Sequence, residues 1–134
     1  MKVFSVFGIT KSGKTTTIDH IIRELVGRGY TVGSLKDIHF EKFAIDTPGT
    51  NTDRHRQAGA DPVIARGIKE TDILFGSHLS LGQILGFYRQ DYAVLEGICE
   101  ECIPAIVTGH SIAELDERDA PNSAHHGIGN RRPC

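Results

Sequence analysis

The residues that could do chemistry are concentrated in one glycine-rich segment. Residues 8–15 read Gly-Ile-Thr-Lys-Ser-Gly-Lys-Thr, which fits the pattern G-x-x-x-x-G-K-[ST] in full. Glycines let such a loop curl so that successive backbone N–H groups converge on one anion. In this pattern Lys14 reaches the β- and γ-phosphates of a nucleotide, and the Thr15 hydroxyl takes one position on Mg²⁺. The predicted nucleotide-binding residues are Gly8, Lys11, Ser12, Gly13, Lys14, Thr15 and Thr16, with the Lys11 side chain expected to face solvent.

Two acidic residues could serve the magnesium ion together with Thr15. Glu96 closes the apolar run at residues 92–96, so its carboxylate is expected at the carboxyl end of a parallel strand, where ligands bind in α/β sheets. Asp46 begins Asp-Thr-Pro-Gly, which is similar to the Asp-x-x-Gly switch element of GTPases. A plain Pro-Gly turn is the alternative interpretation of Asp46. Both carboxylates are candidates, and the sequence does not choose between them.

Several basic side chains could contact another phosphate or an anionic cofactor. Arg54 and Arg56 stand two positions apart in a polar segment, and arginine forms bidentate bonds with phosphate oxygens. Lys36 and His39 follow the second predicted strand, at residues 30–35, and are expected to line the same crevice. The alternatives are a solvated helix face for the arginines and ordinary polar surface for the histidine.

Cys99 and Cys102 are separated by two residues, a spacing used by redox pairs and by half of a zinc site. One such pair is a weak signal, because zinc takes four ligands. The missing ligands would come from a second subunit or from His110, His125, His126 or Cys134. Inert loop thiols are the alternative interpretation.

Periodicity on either side of the glycine loop predicts the elements that hold it. Residues 2–7 form a β-branched and aromatic run that ends at Gly8, typical of a buried strand. From Thr16 to Gly27 apolar residues return every three or four positions, which predicts a helix. A second strand at residues 30–35 completes a parallel βαβ unit. The predicted fold class is therefore α/β: a P-loop NTPase-like three-layer sandwich with a mainly parallel sheet.

Further elements are predicted from short apolar runs and from helical spacing. They are strands at residues 43–45, 62–65, 73–75, 92–95 and 103–107, and helices at residues 50–58 and 81–88. Little looks structured after His110, and from residue 121 the composition turns to Pro, Asn, Ser, His, Gly and Arg. We predict a nucleotide-binding domain over residues 1–120 and a flexible tail over residues 121–134, with order imposed by a partner chain or a metal as the alternative.

Length, composition and charge limit the classes of protein to which this chain can belong. A chain of 134 residues with 39% hydrophobic and 24% charged residues matches one ordinary globular domain. Its net charge of -2 offers no electrostatic reason to expect nucleic acid or an anionic membrane as partner. No apolar run approaches the roughly 20 residues that span a bilayer, and residues 3–7 are too few for a signal peptide. We therefore expect a cytoplasmic protein.

Four blocks, taken in order, resemble the MobB family of molybdopterin-guanine dinucleotide biosynthesis adapter proteins. They are the glycine loop, Ile-Asp-Thr-Pro-Gly at residues 45–49, Arg-His-Arg-Gln-Ala-Gly-Ala at residues 54–60, and Val-Leu-Glu-Gly at residues 94–97. The third block is the most family-specific, because P-loops occur across many kinases and GTPases. The resemblance covers the chain from residue 2 to about residue 107.

This resemblance implies a GTP-binding accessory protein with weak GTPase activity at most. It implies a homodimer that assists a MobA-like nucleotidyltransferase in attaching GMP to molybdopterin, with Glu96 serving Mg²⁺ and with Arg54 and Arg56 facing the phosphate-rich crevice. Preference for GTP over ATP comes only from the resemblance, because neither Asn-Lys-x-Asp nor Thr-Lys-x-Asp occurs. The alternatives are a P-loop small-molecule kinase, although no long lid insertion is present, and a nucleotide-switched metal or cofactor insertion chaperone that uses the two cysteines.

Overall fold

The computed structural model describes residues 1–119, which fall into two compact units. The first unit joins residues 1–38 to the segment that starts at residue 88, and the second spans residues 39–87. The first contains β1 (Lys2–Gly8), α1 (Lys14–Gly27), β2 (Val32–Lys36), β5 (Tyr92–Glu96), β6 (Ala105–Thr108) and α4 (Ile112–Asp119). The second contains α2 (Asn51–Gln57), β3 (Val63–Arg66), β4 (Thr71–Leu74) and α3 (Leu81–Leu85).

The first unit is built on a four-stranded parallel sheet with strand order β2-β5-β1-β6. Its register places Glu96 beside both Val6 and Lys36, and Gly8 beside Thr108. Because the four strands run in the same direction, their carboxyl ends meet at one edge, the edge at which open α/β sheets bind ligands. The strand order therefore gathers the glycine loop, Glu96 and Lys36 at that edge.

The core of this unit explains why its central strands read as apolar runs. Ala93, Val94 and Leu95 of β5 are fully buried, as is Val6 of β1, and parallel strands that are covered on both faces carry such runs. Helix α1 packs onto them through Ile18, with the helical spacing that the sequence predicts. Each fully buried aliphatic side chain contributes about 1.5–3 kcal/mol. This core holds the strands whose ends form the site.

The second unit pairs β3 with β4 in an antiparallel hairpin, in which Val63 lies opposite Leu74. Val63 is buried, and α2 packs against β3. Helix α3 begins at a capping box: Ser80 Oγ accepts from the Gln83 N–H, and the Gln83 side chain accepts from the Ser80 N–H. The unit carries four predicted ligand contacts, which are His39, Asp46, Arg54 and Arg56.

Most predicted elements are confirmed, with small shifts at their ends. Strand β2 is parallel to β1 as expected, but β5 lies between them. The predicted strand at residues 43–45 is wrong, because the chain turns there and the Phe43 N–H donates to the Phe40 carbonyl at 2.9 Å. Phe43 is 50% exposed and Ile45 is 73% exposed, so their side chains enter no core that would favour a strand.

Helix α4 contradicts the expectation that little is structured after His110. The sequence Ser-Ile-Ala-Glu at residues 111–114 is a capping signal, and the Ser111 hydroxyl accepts from the Glu114 N–H at 3.4 Å. Glu114 Oε2 also accepts from the His110 N–H at 2.8 Å, and α4 packs against β6. The predicted tail at residues 121–134 lies outside the described residues, and the domain boundary at residue 120 stays a prediction. Within residues 1–119, no helix combines the length and apolar character that a bilayer crossing requires.

Candidate phosphate-binding site

Within the glycine loop, residues 9–13 connect the end of β1 to the start of α1. Two of its residues adopt left-handed backbone conformations, Lys11 with φ 62° and Gly13 with φ 85°. Glycine adopts this conformation without steric cost, whereas lysine does so at a cost of about 1–2 kcal/mol. The strand–loop–helix arrangement that the motif requires is therefore present, and the exposed Lys11 side chain agrees with the sequence prediction.

Gly8, the first glycine of the motif, is required by the close approach of β6. A Cβ atom built on Gly8 would lie 2.2 Å from the Thr108 carbonyl oxygen and 2.4 Å from Thr108 Oγ1. Real Cβ contacts essentially never fall below 3.0 Å. Any larger residue at this position would push the loop away from β6.

The N-terminus of α1 is open toward the loop. Gly13 is its N-cap, no side chain caps the helix, and its first turn holds no acidic residue. Among the described residues, the N–H groups of Lys14, Thr15 and Thr16 donate to no protein acceptor. These groups, together with the helix dipole, favour an anion at this end.

The Lys14 side chain folds across its own loop. Its ammonium group donates to the carbonyl of Gly8 at 3.0 Å and to the carbonyl of Ile9. Both acceptors are neutral backbone oxygens, and phosphate oxygens are stronger partners because they carry charge. Lys14 is thus held inside the loop, next to the open helix end.

Glu96 connects the loop to the neighbouring strands. Its Oε1 accepts from the Thr15 hydroxyl at 3.0 Å and from the Lys36 ammonium group at 2.9 Å. The Glu96 side chain is 13% exposed, whereas the Lys36 side chain is 56% exposed. Parallel pairing of β2 and β5 creates the Lys36 contact, since these two residues are register partners. The structure thus brings Thr15, Glu96 and Lys36 together, as the sequence predicts for a shared crevice.

The donor set at this point fits a magnesium ion. Mg²⁺ prefers hard oxygen ligands and binds through one or two carboxylate or hydroxyl groups plus phosphates and water. Thr15 Oγ1 can offer a lone pair while its own proton stays hydrogen-bonded to Glu96 Oε1, and the Glu96 carboxylate adds an anionic oxygen, Oε2. Thr15 and Glu96 are therefore the residues of this unit that would hold the ion.

The Ser12 hydroxyl points toward β6. Its Oγ donates to the Ile9 carbonyl at 2.8 Å and lies 2.7 Å from Thr108 Oγ1. The Ser12 N–H donates to the Ile9 carbonyl at 3.3 Å, which closes the turn. Ser12 is a sequence-predicted site residue. In the structure its hydroxyl forms contacts within the protein.

Asp46, the second candidate for magnesium, lies in the other unit and organises its own turn. Its Oδ1 accepts from the Thr47 N–H at 2.9 Å, from the Thr50 hydroxyl at 2.9 Å and from the Thr52 hydroxyl at 3.0 Å. Its Oδ2 is buried and has no hydrogen-bond partner among the described residues. These contacts match the turn interpretation of Asp46 and leave one oxygen for a cation, so its predicted magnesium role stays a prediction.

Helix α2 carries the two arginines of the predicted anion contact. Arg56 pairs with the buried Asp53 at 2.8 Å, and Arg54 is exposed on the same helix. Asp53 also accepts from the Gly49 N–H at 2.9 Å and from the Gln57 amide at 2.7 Å. The Gly49 hydrogen bond and then the Arg56 guanidinium lower the pKa of the Asp53 carboxyl. Arg54, Arg56 and the exposed His39 stay predicted anion contacts.

Among the described residues, the cysteine pair is not part of a cluster of metal-ligating side chains. Cys99 is a free, exposed thiol. No group of three or more His, Cys, Asp and Glu side chains within residues 1–119 is placed to hold a metal ion. The redox and metal interpretations of the pair stay predictions.

From the sequence, Thr108 is not selected as a contact of the loop, and Asp53 is expected only near the start of the helix at residues 50–58. Thr108 ends β6 at the same sheet edge as Glu96, and the argument that selected Glu96 applies equally to a hydroxyl at that position. Asp53 closes the pattern Thr-Asn-Thr-Asp at residues 50–53, a helix-start signal of the [ST]-x-x-[DE] type. Both signals are local and were available without coordinates.

The parallel sheet, the glycine loop between β1 and α1, and the open helix end define an α/β protein of the P-loop NTPase-like kind. The family described as "MobB: Molybdopterin guanine dinucleotide synthesis protein B" matches residues 3–121. The chain belongs to the MobB family. The sequence-based recognition and fold class are thereby confirmed.

Individual relatives agree with this assignment. A Bacillus subtilis protein named "Probable molybdopterin-guanine dinucleotide biosynthesis adapter protein" is 27% identical over 124 residues, covering 90% of this chain and 72% of that protein. A Methanocaldococcus jannaschii protein named for the same adapter role is 31% identical over 114 residues, covering 80% of this chain and 47% of that protein.

Solved structures share the fold. The crystal structure of Bacillus subtilis MobB superposes with a TM-score of 0.69 and 25% identity, covering 87% of this chain and 73% of that one. A MobB homologue from Bacillus stearothermophilus superposes with a TM-score of 0.65 and 24% identity, covering 87% of this chain and 70% of that one. The second likeness concerns the fold alone.

Proposed function

We propose that this chain binds GTP with Mg²⁺ through the loop at residues 8–16 and Glu96, and that it serves molybdopterin guanine dinucleotide biosynthesis as an adapter. The observation that carries the proposal is the 3.0 Å contact between Thr15 Oγ1 and Glu96 Oε1 beside the uncapped end of α1. One end of the site offers amide protons and an ammonium group for phosphates, and the other offers oxygens for a divalent cation. Membership of the MobB family supplies the biosynthetic context.

In this proposal each group of the site acts on a different part of the nucleotide. The first-turn N–H groups of α1 bind phosphate oxygens, and Lys14 exchanges its two backbone acceptors for the β- and γ-phosphates. When bound, Mg²⁺ neutralises phosphate charge. Thr15 and Glu96 would hold that cation through their side-chain oxygens. Lys36, whose ammonium group donates to Glu96 and whose side chain is 56% exposed, lies at the same sheet edge and contacts the phosphates in this proposal.

Hydrolysis by the isolated chain is expected to be slow. Fast GTP hydrolysis needs a group that orients the attacking water and an arginine that stabilises the developing charge. In the first unit, Glu96 accepts from both Thr15 and Lys36, and neither of these contacts involves an arginine. The chain is thus proposed as a weak GTPase that forms a homodimer and assists a MobA-like nucleotidyltransferase acting on molybdopterin.

The test is thermal melting of the chain with GTP, with ATP and without nucleotide, each with Mg²⁺. At a GTP concentration about 100 times the dissociation constant, stabilisation of about 2.7 kcal/mol is expected. Lys14→Ala should abolish this stabilisation, whereas Lys69→Ala, which removes an exposed lysine of the other unit, should keep it. Equal stabilisation by ATP and GTP would contradict the base preference, and no stabilisation by either would contradict nucleotide binding.

A further inference from the structure

We propose that Thr108, at the carboxyl end of β6, is a positioning residue that holds the phosphate loop in its anion-binding shape. Thr108 lies outside the sequence motif, 96 positions from Ser12, and reaches the loop only through the pairing of β6 with β1. The proposal deepens the proposed nucleotide binding and rests on it for its effect on affinity. The part of the proposal that concerns the shape of the loop applies to the protein without nucleotide.

The first observation is a chain of hydroxyl contacts across the sheet edge. Thr108 Oγ1 lies 2.7 Å from Ser12 Oγ, and Ser12 Oγ donates to the Ile9 carbonyl at 2.8 Å. Thr108 Oγ1 also reaches the Phe7 carbonyl at 3.2 Å. Each hydroxyl has one proton and the two carbonyls only accept, so two of these three contacts are hydrogen bonds at any one time. The link forms when Thr108 donates to Ser12 while Ser12 donates to Ile9. It also forms when Ser12 donates to Thr108 while Thr108 donates to Phe7.

The second observation is the conformation that this link maintains. Lys11, next to Ser12, has a left-handed backbone with φ 62°. A non-glycine residue persists in that region only when its surroundings hold it there. Ser12 is fixed on one side of Lys11 by Thr108, and the Ser12 N–H closes the turn onto Ile9. Without the Thr108 contact, Lys11 has a downhill route to an ordinary conformation, and the loop amides lose their convergence.

The third observation is the space that Thr108 occupies. Its carbonyl and hydroxyl oxygens fill the volume that a Cβ on Gly8 would need, at 2.2 Å and 2.4 Å. Gly8, the first glycine of the motif, and Thr108 therefore pack directly against each other. The same threonine limits the loop on its β1 side and holds it at Ser12.

The test compares Thr108→Val, which keeps the shape and removes the hydroxyl, with Thr108→Ser, which keeps the hydroxyl. In nucleotide-free protein, NMR order parameters of residues 9–13 should fall below about 0.6 in Thr108→Val and stay near 0.85 in Thr108→Ser. The dissociation constant for GTP with Mg²⁺ should rise about three- to tenfold in Thr108→Val, the loss of one net hydrogen bond. Thr71→Val, in β4, is the matched control and should change neither quantity.

A second variant approaches the same link from the loop. Ser12→Ala should loosen residues 9–13 as Thr108→Val does, and the effects of the two variants should be clearly less than additive, because both remove the shared Ser12–Thr108 contact although each also removes one carbonyl contact. Additive effects, or an unchanged loop and dissociation constant in Thr108→Val, would overturn the proposal. If the unaltered chain binds no GTP, the proposed function fails, and the order parameters still decide whether Thr108 holds the loop.

Discussion

Replacing Glu96 by Gln separates the magnesium role of this residue from its part in the fold. Glutamine keeps the size of the side chain, and its amide oxygen can still accept from the Thr15 hydroxyl. It removes the negative charge that faces Lys36 and the proposed cation. The two consequences, for stability and for binding, differ enough in size to be told apart.

The effect on stability should be small. The lost ion pair joins Glu96 to a Lys36 side chain that is 56% exposed, and water screens such pairs, whose median worth is about 0–1 kcal/mol. The hydrogen bond from Thr15 is kept. The free energy of unfolding should therefore fall by about 1 kcal/mol or less, and the variant should remain folded.

The effect on nucleotide binding should be larger and should depend on magnesium. Interactions with a charged group contribute about 1.5–3 kcal/mol, and each 1.4 kcal/mol is about tenfold in affinity. Binding of GTP to Glu96→Gln should weaken by about 10- to 100-fold in Mg²⁺ and by little in EDTA. Calorimetric titration at constant ionic strength measures both conditions.

Two further variants make the result specific. Glu24→Gln removes an exposed ion pair with Arg28, 2.7 Å long, on the same unit and should leave both affinities unchanged. Asp46→Asn tests the other magnesium candidate and should leave the difference between Mg²⁺ and EDTA intact. The reasoning is refuted if Glu96→Gln weakens binding equally in both conditions, or if Asp46→Asn abolishes the magnesium dependence while Glu96→Gln does not.

Two other substitutions test the packing of each unit. Gly8→Ala should destabilise the chain by about 1–3 kcal/mol, because its Cβ would meet the Thr108 carbonyl at 2.2 Å; chemical denaturation measures this, and unchanged stability would contradict the close approach. Asp53→Asn should lower the melting temperature at neutral pH. Since the folded-state pKa of Asp53 is lowered, its stabilisation is present above about pH 3.9, the unfolded-state value, and is lost as the pH falls through the folded-state pKa. The difference from the unaltered chain should therefore narrow below about pH 4, and a constant difference would contradict this role.

Local sequence signals predicted the elements that carry the motif, and the reasons are local. The β-branched and aromatic run at residues 2–7 and the helical spacing of apolar residues after Thr16 depend only on neighbours in the chain. The glycines at positions 8 and 13 mark where the backbone must turn or approach another strand. Glu96 could be selected because an acidic residue at the end of an apolar strand has few structural reasons to be there.

The two predictions that the structure contradicts have different causes. Residues 43–45 combine apolar and β-branched side chains, yet a strand forms only when another strand accepts its backbone hydrogen bonds. Helix α4 escaped notice although Ser111 and Glu114 carry a capping pattern. At residues 43–45 local propensity and tertiary context disagree, whereas at α4 the local capping signal agrees with the helix that forms.

The sequence by itself determined that residues 8–15 form a strand-to-helix loop of the phosphate-binding type, because the motif, the preceding strand and the following helix are contiguous. Tertiary structure decided which distant side chains stand beside that loop. The strand order β2-β5-β1-β6 places Glu96 and Lys36 on one side of β1 and Thr108 on the other. No periodicity encodes strand order, because it results from the packing of the whole sheet, and the partners of Thr15 and Ser12 follow from it.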